Sequence, residues 1–164
     1  MINTNIIKME LKRSFKAFLI WSLSMGVMMY LLVALYPIVV DMYKAIPEEY
    51  LKMFGGFPND IIEYFGMEGA IMVLLMGTIY AAIIGFSAIN REFQELSIDE
   101  VYTLPISRES FYINKLSSVI IQIIGFIFVN TIFIILGFIT AGPMPNLGNF
   151  LAFMGMALVL LIMI

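Results

Sequence analysis

The residues of this chain that could do chemistry are concentrated in one stretch, residues 90–116, which reads NREFQELSIDEVYTLPISRESFYINKL. Its charged and hydroxyl side chains stand between two long runs that contain no Asp, Glu, Lys or Arg. A polar segment of this size cannot lie in hydrocarbon, where polar groups find no water. We therefore expect this segment to bind another protein. Its apolar residues would form the centre of the contact surface and its charged residues the rim.

Local signals within this stretch predict a short helix, a bend and a second helix. Ser97 and Glu100 have the spacing of a capping box, in which the Ser97 hydroxyl accepts from the amide three residues on and the Glu100 side chain reaches back. Pro105 disfavours helix at the residue before it and so ends the first helix. Ser107 is a second N-cap residue, with Glu109 in the first turn of the helix that follows.

Catalytic and metal-binding constellations are not visible in the sequence. The chain has no Cys and no His, so the two commonest transition-metal ligands are missing. The polar residues inside the apolar runs are Ser22, Ser24, Thr78, Ser87, Gln122, Asn130, Thr131 and Thr140. They supply no nucleophile with its base, so we expect no catalytic residue, bound cofactor or metal. Because none of them is charged, ion-driven transport also loses support.

The composition is that of a membrane protein, with 62% hydrophobic and 13% charged residues. Runs long enough to cross about 30 Å of hydrocarbon occupy residues 17–40, 69–89 and 116–142, and a shorter run occupies 147–164. We predict one all-α transmembrane domain over residues 1–164, with three complete spans and the start of a fourth. Because the last run lacks interfacial anchors, we expect the chain to be the N-terminal part of a longer protein.

The distribution of Lys and Arg predicts the orientation of these spans. Four of these residues precede residue 17 and three lie in residues 90–115, against two in residues 41–68. By the positive-inside rule, the N-terminus and the 90–115 segment are cytoplasmic, and the chain is a multi-pass protein of the cell membrane. No basic patch indicates nucleic acid.

Three further elements are predicted around the spans. Residues 1–16 read as an amphipathic elbow helix that lies on the lipid surface, with topology-setting charge as the alternative. Residues 41–68 form an outer loop with short helices over residues 47–54 and from Asn59 or Asp60 to Phe65. In the second span, small residues four apart form a packing face, within the chain or between subunits. They are Gly77, Ala81 and Gly85.

Residues 92–115 resemble the first cytoplasmic loop of ABC exporter permeases of the type 2 class. In that family a segment of the form E-x-x-x-G-T-x-E precedes a P-x-S-R element. The matching positions here are Glu92, Leu96, Ser97, Asp99, Pro105, Ser107, Arg108 and Lys115. Leu96 stands where the family usually has Gly, and Ser97 where it has Thr. The order of the spans, the basic N-terminus and the outer Pro47-Glu48-Glu49 also match such permeases.

The resemblance implies the transmembrane subunit of an ATP-driven exporter, with a short cytoplasmic coupling helix between spans two and three. A separate cytoplasmic ABC ATPase would bind ATP and Mg, because this sequence has no phosphate-cradling loop, and a second permease copy would complete the path. The docking residues implied are Glu92, Ser97, Ile98, Asp99, Val101, Tyr102, Leu104, Pro105, Ser107 and Arg108. An accessory or structural multi-span protein and an ion-coupled carrier remain the alternatives.

Overall fold

The computed structural model describes residues 3–47, 49–50, 56, 58, 60–94, 107–142 and 145–164. In this part of the chain the regular elements are helices. They are α1 (Thr4–Ala34), α2 (Tyr36–Lys44), α3 (Ile61–Tyr64), a π-helical turn (Phe65–Gly69), α4 (Ala70–Gln94), α5 (Arg108–Ala141) and α6 (Leu147–Met163). The predicted helix over residues 47–54 falls mostly outside the described residues.

Among the described residues, three stretches of helix are long and apolar enough to cross a membrane: Thr4–Ala34, Ile61–Asn90 and Glu109–Ala141. The helix Leu147–Met163 is also apolar but shorter. The chain is therefore an all-α protein with three membrane-length helices, which confirms the predicted fold class at this level.

The first span differs from the prediction at both of its ends. Helix α1 is continuous from Thr4 to Ala34, capped by the Asn3 side chain, so no break in the helix separates residues 4–16 from the span. The elbow helix is therefore not confirmed, and the basic segment continues the axis of the span. The helix stops at Ala34 instead of residue 40, and α2 starts with Pro37 in its first turn. Proline has no N–H and clashes with the preceding turn, which breaks a helix here.

Helices α1 and α5 run side by side in the same direction. Their contacts rise together in residue number: Asn3 with Asn114, Phe18 with Gly125, Gly26 with Phe133 and Val33 with Gly137. Helix α4 packs against this pair in the opposite direction, and the Tyr80 ring stacks on Phe126 with centroids 4.6 Å apart. We call the end where α1 and α5 begin and α4 ends the loop end of the bundle.

The opposite end is held by an aromatic cluster around the π-helical turn. Phe65 makes edge-on contacts with Phe138, Phe150 and Phe153, with centroids 5.8 to 5.9 Å away. The predicted helix start at Asp60 is confirmed, since its side chain accepts from the Glu63 amide. The predicted stop at Phe65 is wrong, because the helix continues through the π turn into α4.

The last connection is short and defined by its caps. Gly142 ends α5 with a φ of +94°, a left-handed conformation that glycine adopts without strain. Asn146 then caps α6, its side-chain oxygen accepting from the amides of Gly148 and Asn149. Helix α6 returns along α4, and its Leu161 side chain lies against Gly77.

Candidate functional site

Most of the predicted docking residues cannot be placed. Residues 95–106 lie outside the described residues, and so do the side chains of Glu92 and Arg108, although both belong to helices. Ser107 is described, and it caps α5 as predicted, its hydroxyl accepting from the Ser110 amide at 3.2 Å. How the docking residues are arranged relative to one another therefore stays a prediction.

The structure does define the base of this loop. Helix α4 continues to Gln94, beyond the predicted end of its span at residue 89, and α5 begins at Arg108, as the Ser107 cap predicted. The two helices are joined where they flank the loop, because the Lys115 ammonium donates to the Ala88 carbonyl oxygen at 2.6 Å. The loop between α4 and α5 therefore stands on two helices that are tied together.

Lys115 was predicted to belong to the loop, but it lies inside the bundle. It is 5% exposed, and Glu10 of α1 is 2% exposed. Lys115 Nζ lies 3.9 Å from Glu10 Oε1, and Arg13 Nη1 lies 3.8 Å from the same oxygen. The Lys115 ammonium also lies 5.0 Å from the centre of the Phe111 ring. Lys115, a residue of α5, thus forms a hydrogen bond to α4 and an ion pair with α1, and so connects three helices.

Polar residues continue this contact along α5 at a spacing of four. Ser110, Asn114, Ser118 and Gln122 are all buried on the face that meets α1. Asn114 accepts from the Asn3 amide at 2.7 Å, which ties the start of α1 to α5. Ser14, one turn after Glu10, is buried on the facing side of α1. We call the set Glu10, Ser14, Asn114, Lys115, Ser118 and Gln122 the polar joint.

The length of α5 places the polar joint relative to a bilayer. Lys115 is about 39 Å along the helix from Ala141, at 1.5 Å per residue. Because the hydrocarbon core is about 30 Å thick and the headgroups add several ångströms on each side, Lys115 lies at the headgroup layer when Ala141 is at the opposite boundary. In that placement the ion pair is near one membrane surface and away from the midplane.

Further along the bundle, three buried oxygen atoms have no hydrogen-bond partner within the described residues. They are Ser22 Oγ, Tyr80 Oη and Asn130 Oδ1. Asn130 donates from its nitrogen to the Phe126 carbonyl of its own helix at 2.9 Å. These groups form no hydrogen bond across helices in the described part of the chain, so the ion pair and its neighbours at the loop end are the main polar link between the spans.

Two glycines of the predicted packing face of the second span have different surroundings: Gly77 is in contact with another helix, and Gly85 is in open space. A side-chain carbon added at Gly77 would lie 2.8 Å from Leu161 Cδ1, so Gly77 packs against α6 of the same chain. Ala81 is 6% exposed, and nothing lies within 4 Å of a carbon added at Gly85. Gly77 therefore allows close packing within the chain, and a contact between subunits stays a prediction for Gly85.

Two features of the sequence could have predicted the polar joint. The row Ser110, Asn114, Ser118 and Gln122 has a helical spacing of four, and Glu10 is the only acid among the basic residues before residue 17. The sequence predicted an amphipathic helix on the lipid surface over residues 1–16, whereas in α1 Glu10 is buried within the bundle and Phe15 is 52% exposed. The face of α1 that meets the bundle is the one that carries Glu10 and Ser14.

Comparison with known proteins did not identify a relative of this chain. No protein-family model, curated protein or solved structure matches this chain. In the described part of the chain, no group of three acidic, His or Cys residues is placed to hold a metal ion. Function is therefore argued from the helices, the loop between α4 and α5, and the polar joint.

Proposed function

We propose that this chain is the transmembrane subunit of an ATP-driven ABC exporter, and that the loop between α4 and α5 docks a separate cytoplasmic ATPase. The observation that carries the proposal is the base of this loop, where Lys115 Nζ bonds the Ala88 carbonyl oxygen at 2.6 Å. A docking loop can transmit force only if it stands on helices that move with it. Two helices tied together directly below the loop meet that requirement.

The polar joint extends this connection into the bundle. A displacement of the loop reaches α5 at Arg108 and α4 at Gln94, and Lys115 links both helices to Glu10 of α1. From there α1 and α5 stay in contact as far as Val33 and Gly137. The loop end is thus mechanically continuous with the first three spans. Coupling of this kind also needs contacts that differ between two states, which the ATP-bound and ATP-free partner would provide.

An ion-coupled carrier is the second candidate, and the buried pair of Glu10 and Lys115 is the observation in its favour. Charged residues buried among membrane helices often mark ion or proton pathways. Carrier sites, however, lie near the midplane of the bilayer, whereas this pair lies about 39 Å along α5 from its opposite end. The position of the pair favours a structural link over a transport site, so we prefer the exporter.

The docking hypothesis predicts the effect of charges placed on the apolar centre of the loop. Val101→Asp with Tyr102→Asp should abolish co-purification with a Walker-type ATPase encoded beside this chain, because two carboxylates would be desolvated in the contact. Membrane insertion should be unchanged, since both positions lie between spans. The matched control is Ile46→Asp with Tyr50→Asp, two exposed positions of the outer segment. ATPase binding and stimulation at the wild-type level in the loop variant would reject the proposal.

The orientation of the loop is a separate requirement of the same proposal. Because the chain has no Cys, single cysteines can be introduced at Ser97 and, as the matched position on the other side, at Gly56. A membrane-impermeant maleimide applied to intact cells should label position 56 and leave position 97 unlabelled until the membrane is opened. Labelling of position 97 in intact cells would place the loop outside and exclude a cytoplasmic ATPase as its partner.

A further inference from the structure

A small cavity of about 40 Å³ lies at the loop end of the bundle, among α1, α4 and α5. Its polar lining consists of Glu10, Ser14, Ser87, Ser118 and Gln122, and its apolar lining of Ala17, Ile83, Ile84 and Ala88. Four of the five polar residues are more than nine-tenths buried, and Ser87 is half-buried. Each of the three helices contributes at least one polar side chain to the cavity.

The hydrogen bonds already formed leave this cavity rich in acceptors. Ser14 Oγ donates to the Glu10 carbonyl oxygen at 2.7 Å, and Ser118 Oγ donates to the Lys115 carbonyl oxygen at 2.7 Å. Gln122 Nε2 donates to the Ser118 carbonyl oxygen at 3.3 Å. One proton of each of these three groups is therefore directed at the backbone, and the two hydroxyl oxygens and Gln122 Oε1 offer lone pairs to the cavity.

Two hydrogen-bond acceptors in the cavity, Gln122 Oε1 and the Glu10 carboxylate, determine which kind of molecule or ion could bind there. Gln122 Oε1 is buried and has no hydrogen-bond partner among the described residues. The carboxylate of Glu10 accepts and never donates when ionised, and its two oxygens have room for several hydrogen bonds. An occupant that satisfies both groups must donate two hydrogen bonds or carry positive charge.

The charges around Glu10 argue against a cation. Lys115 Nζ at 3.9 Å and Arg13 Nη1 at 3.8 Å already balance this carboxylate. A further positive charge in the cavity would be repelled by both, and repulsion between like charges is strong where water is excluded. Water is neutral, donates two hydrogen bonds and needs about 10 to 15 Å³, which this cavity exceeds.

We propose that the cavity binds an ordered water molecule. The water donates one hydrogen bond to the Glu10 carboxylate and one to Gln122 Oε1, and it accepts one from the Ser87 hydroxyl. Three polar partners are typical for a buried water. Because the partners come from α1, α5 and α4, the water completes the polar joint by adding a hydrogen bond from α4 to the other two helices.

Radiolytic hydroxyl labelling of the protein in lipid nanodiscs tests this site, because buried side chains are oxidised only where a bound water supplies the radical. Ile84 lines the cavity and is 5% exposed, and Ile134 is a matched internal reference that is 0% exposed. We expect several-fold more oxidation at Ile84 than at Ile134. Gln122→Met and, separately, Ser87→Ala should each reduce oxidation of Ile84 towards the level of Ile134.

Two results would overturn the proposal. One is equal, background-level oxidation of Ile84 and Ile134 in the wild-type protein, which would mean that the cavity is dry. The other is a Na⁺-dependent rise in melting temperature that Gln122→Met removes, which would mean that the occupant is a cation. Because Ser87 is half-buried near the end of α4, Ser87→Ala keeps the test valid if Gln122→Met does not fold.

Discussion

Replacing Lys115 with methionine is expected to lower the free energy of unfolding by about 3 to 5 kcal/mol, the usual cost of removing one partner of a buried ion pair. Lys115 and Glu10 are 5% and 2% exposed, so bulk solvent cannot take the place of the lost ammonium charge. The substitution also removes the donor to the Ala88 carbonyl oxygen. Reversible unfolding in mixed micelles of lipid and SDS would measure the change.

A double-substitution cycle separates the ion pair from general loss of packing. Lys115→Met combined with Glu10→Met should cost less than the sum of the two single changes, because neither the Lys115 ammonium nor the Glu10 carboxylate then stays buried without the other. The matched surface control is Lys44→Met, which removes the pair with Asp41 at 3.0 Å, where the two side chains are 70% and 77% exposed. That change should cost no more than about 1 kcal/mol. Equal effects of Lys115→Met and Lys44→Met would show that the buried pair does not hold the helices together.

Replacing Gly137 with alanine is expected to destabilise the bundle by about 1 to 3 kcal/mol, the range for an added methyl group in a packed contact. The new carbon would lie 2.8 Å from Val33 Cβ and 3.1 Å from both Val33 Cγ1 and the Tyr30 carbonyl oxygen. Backbone atoms cannot rotate away, so α1 and α5 would have to separate. Van der Waals contact is the main source of association between helices in lipid, and separation reduces it.

Gly155→Ala is the matched control for this prediction. Gly155 also lies within an apolar helix, but nothing is within 4 Å of a carbon added there. Alanine has the higher helix propensity, so this change should leave stability unchanged or slightly raised under the same unfolding assay. If Gly137→Ala is equally harmless, α1 and α5 do not approach as closely as the structure has them.

The presence of the long helices and the residues at which three helices start were predictable because their signals are local. Ser107, Asp60 and Leu147 mark helix starts that the structure confirms. The errors arose where a helix continues through polar residues. Residues 4–16 were assigned to the membrane surface, yet they belong to the same helix as the first span. Lys115 was assigned to the cytoplasmic segment 90–115, yet its side chain is buried in the bundle.

The sequence by itself determined that this is an all-α membrane protein, since the length of an apolar run and the type of a capping residue need no tertiary contact. Only the tertiary structure decided which face of each helix is buried. The amphipathic pattern of residues 1–16 predicted a helix on the lipid surface and did not indicate which side of α1 meets the bundle, where Glu10 and Ser14 are buried while Phe15 is 52% exposed. Lipid is as apolar as a protein core, so apolar side chains gain little from burial, whereas polar side chains need partners that only the neighbouring helices provide.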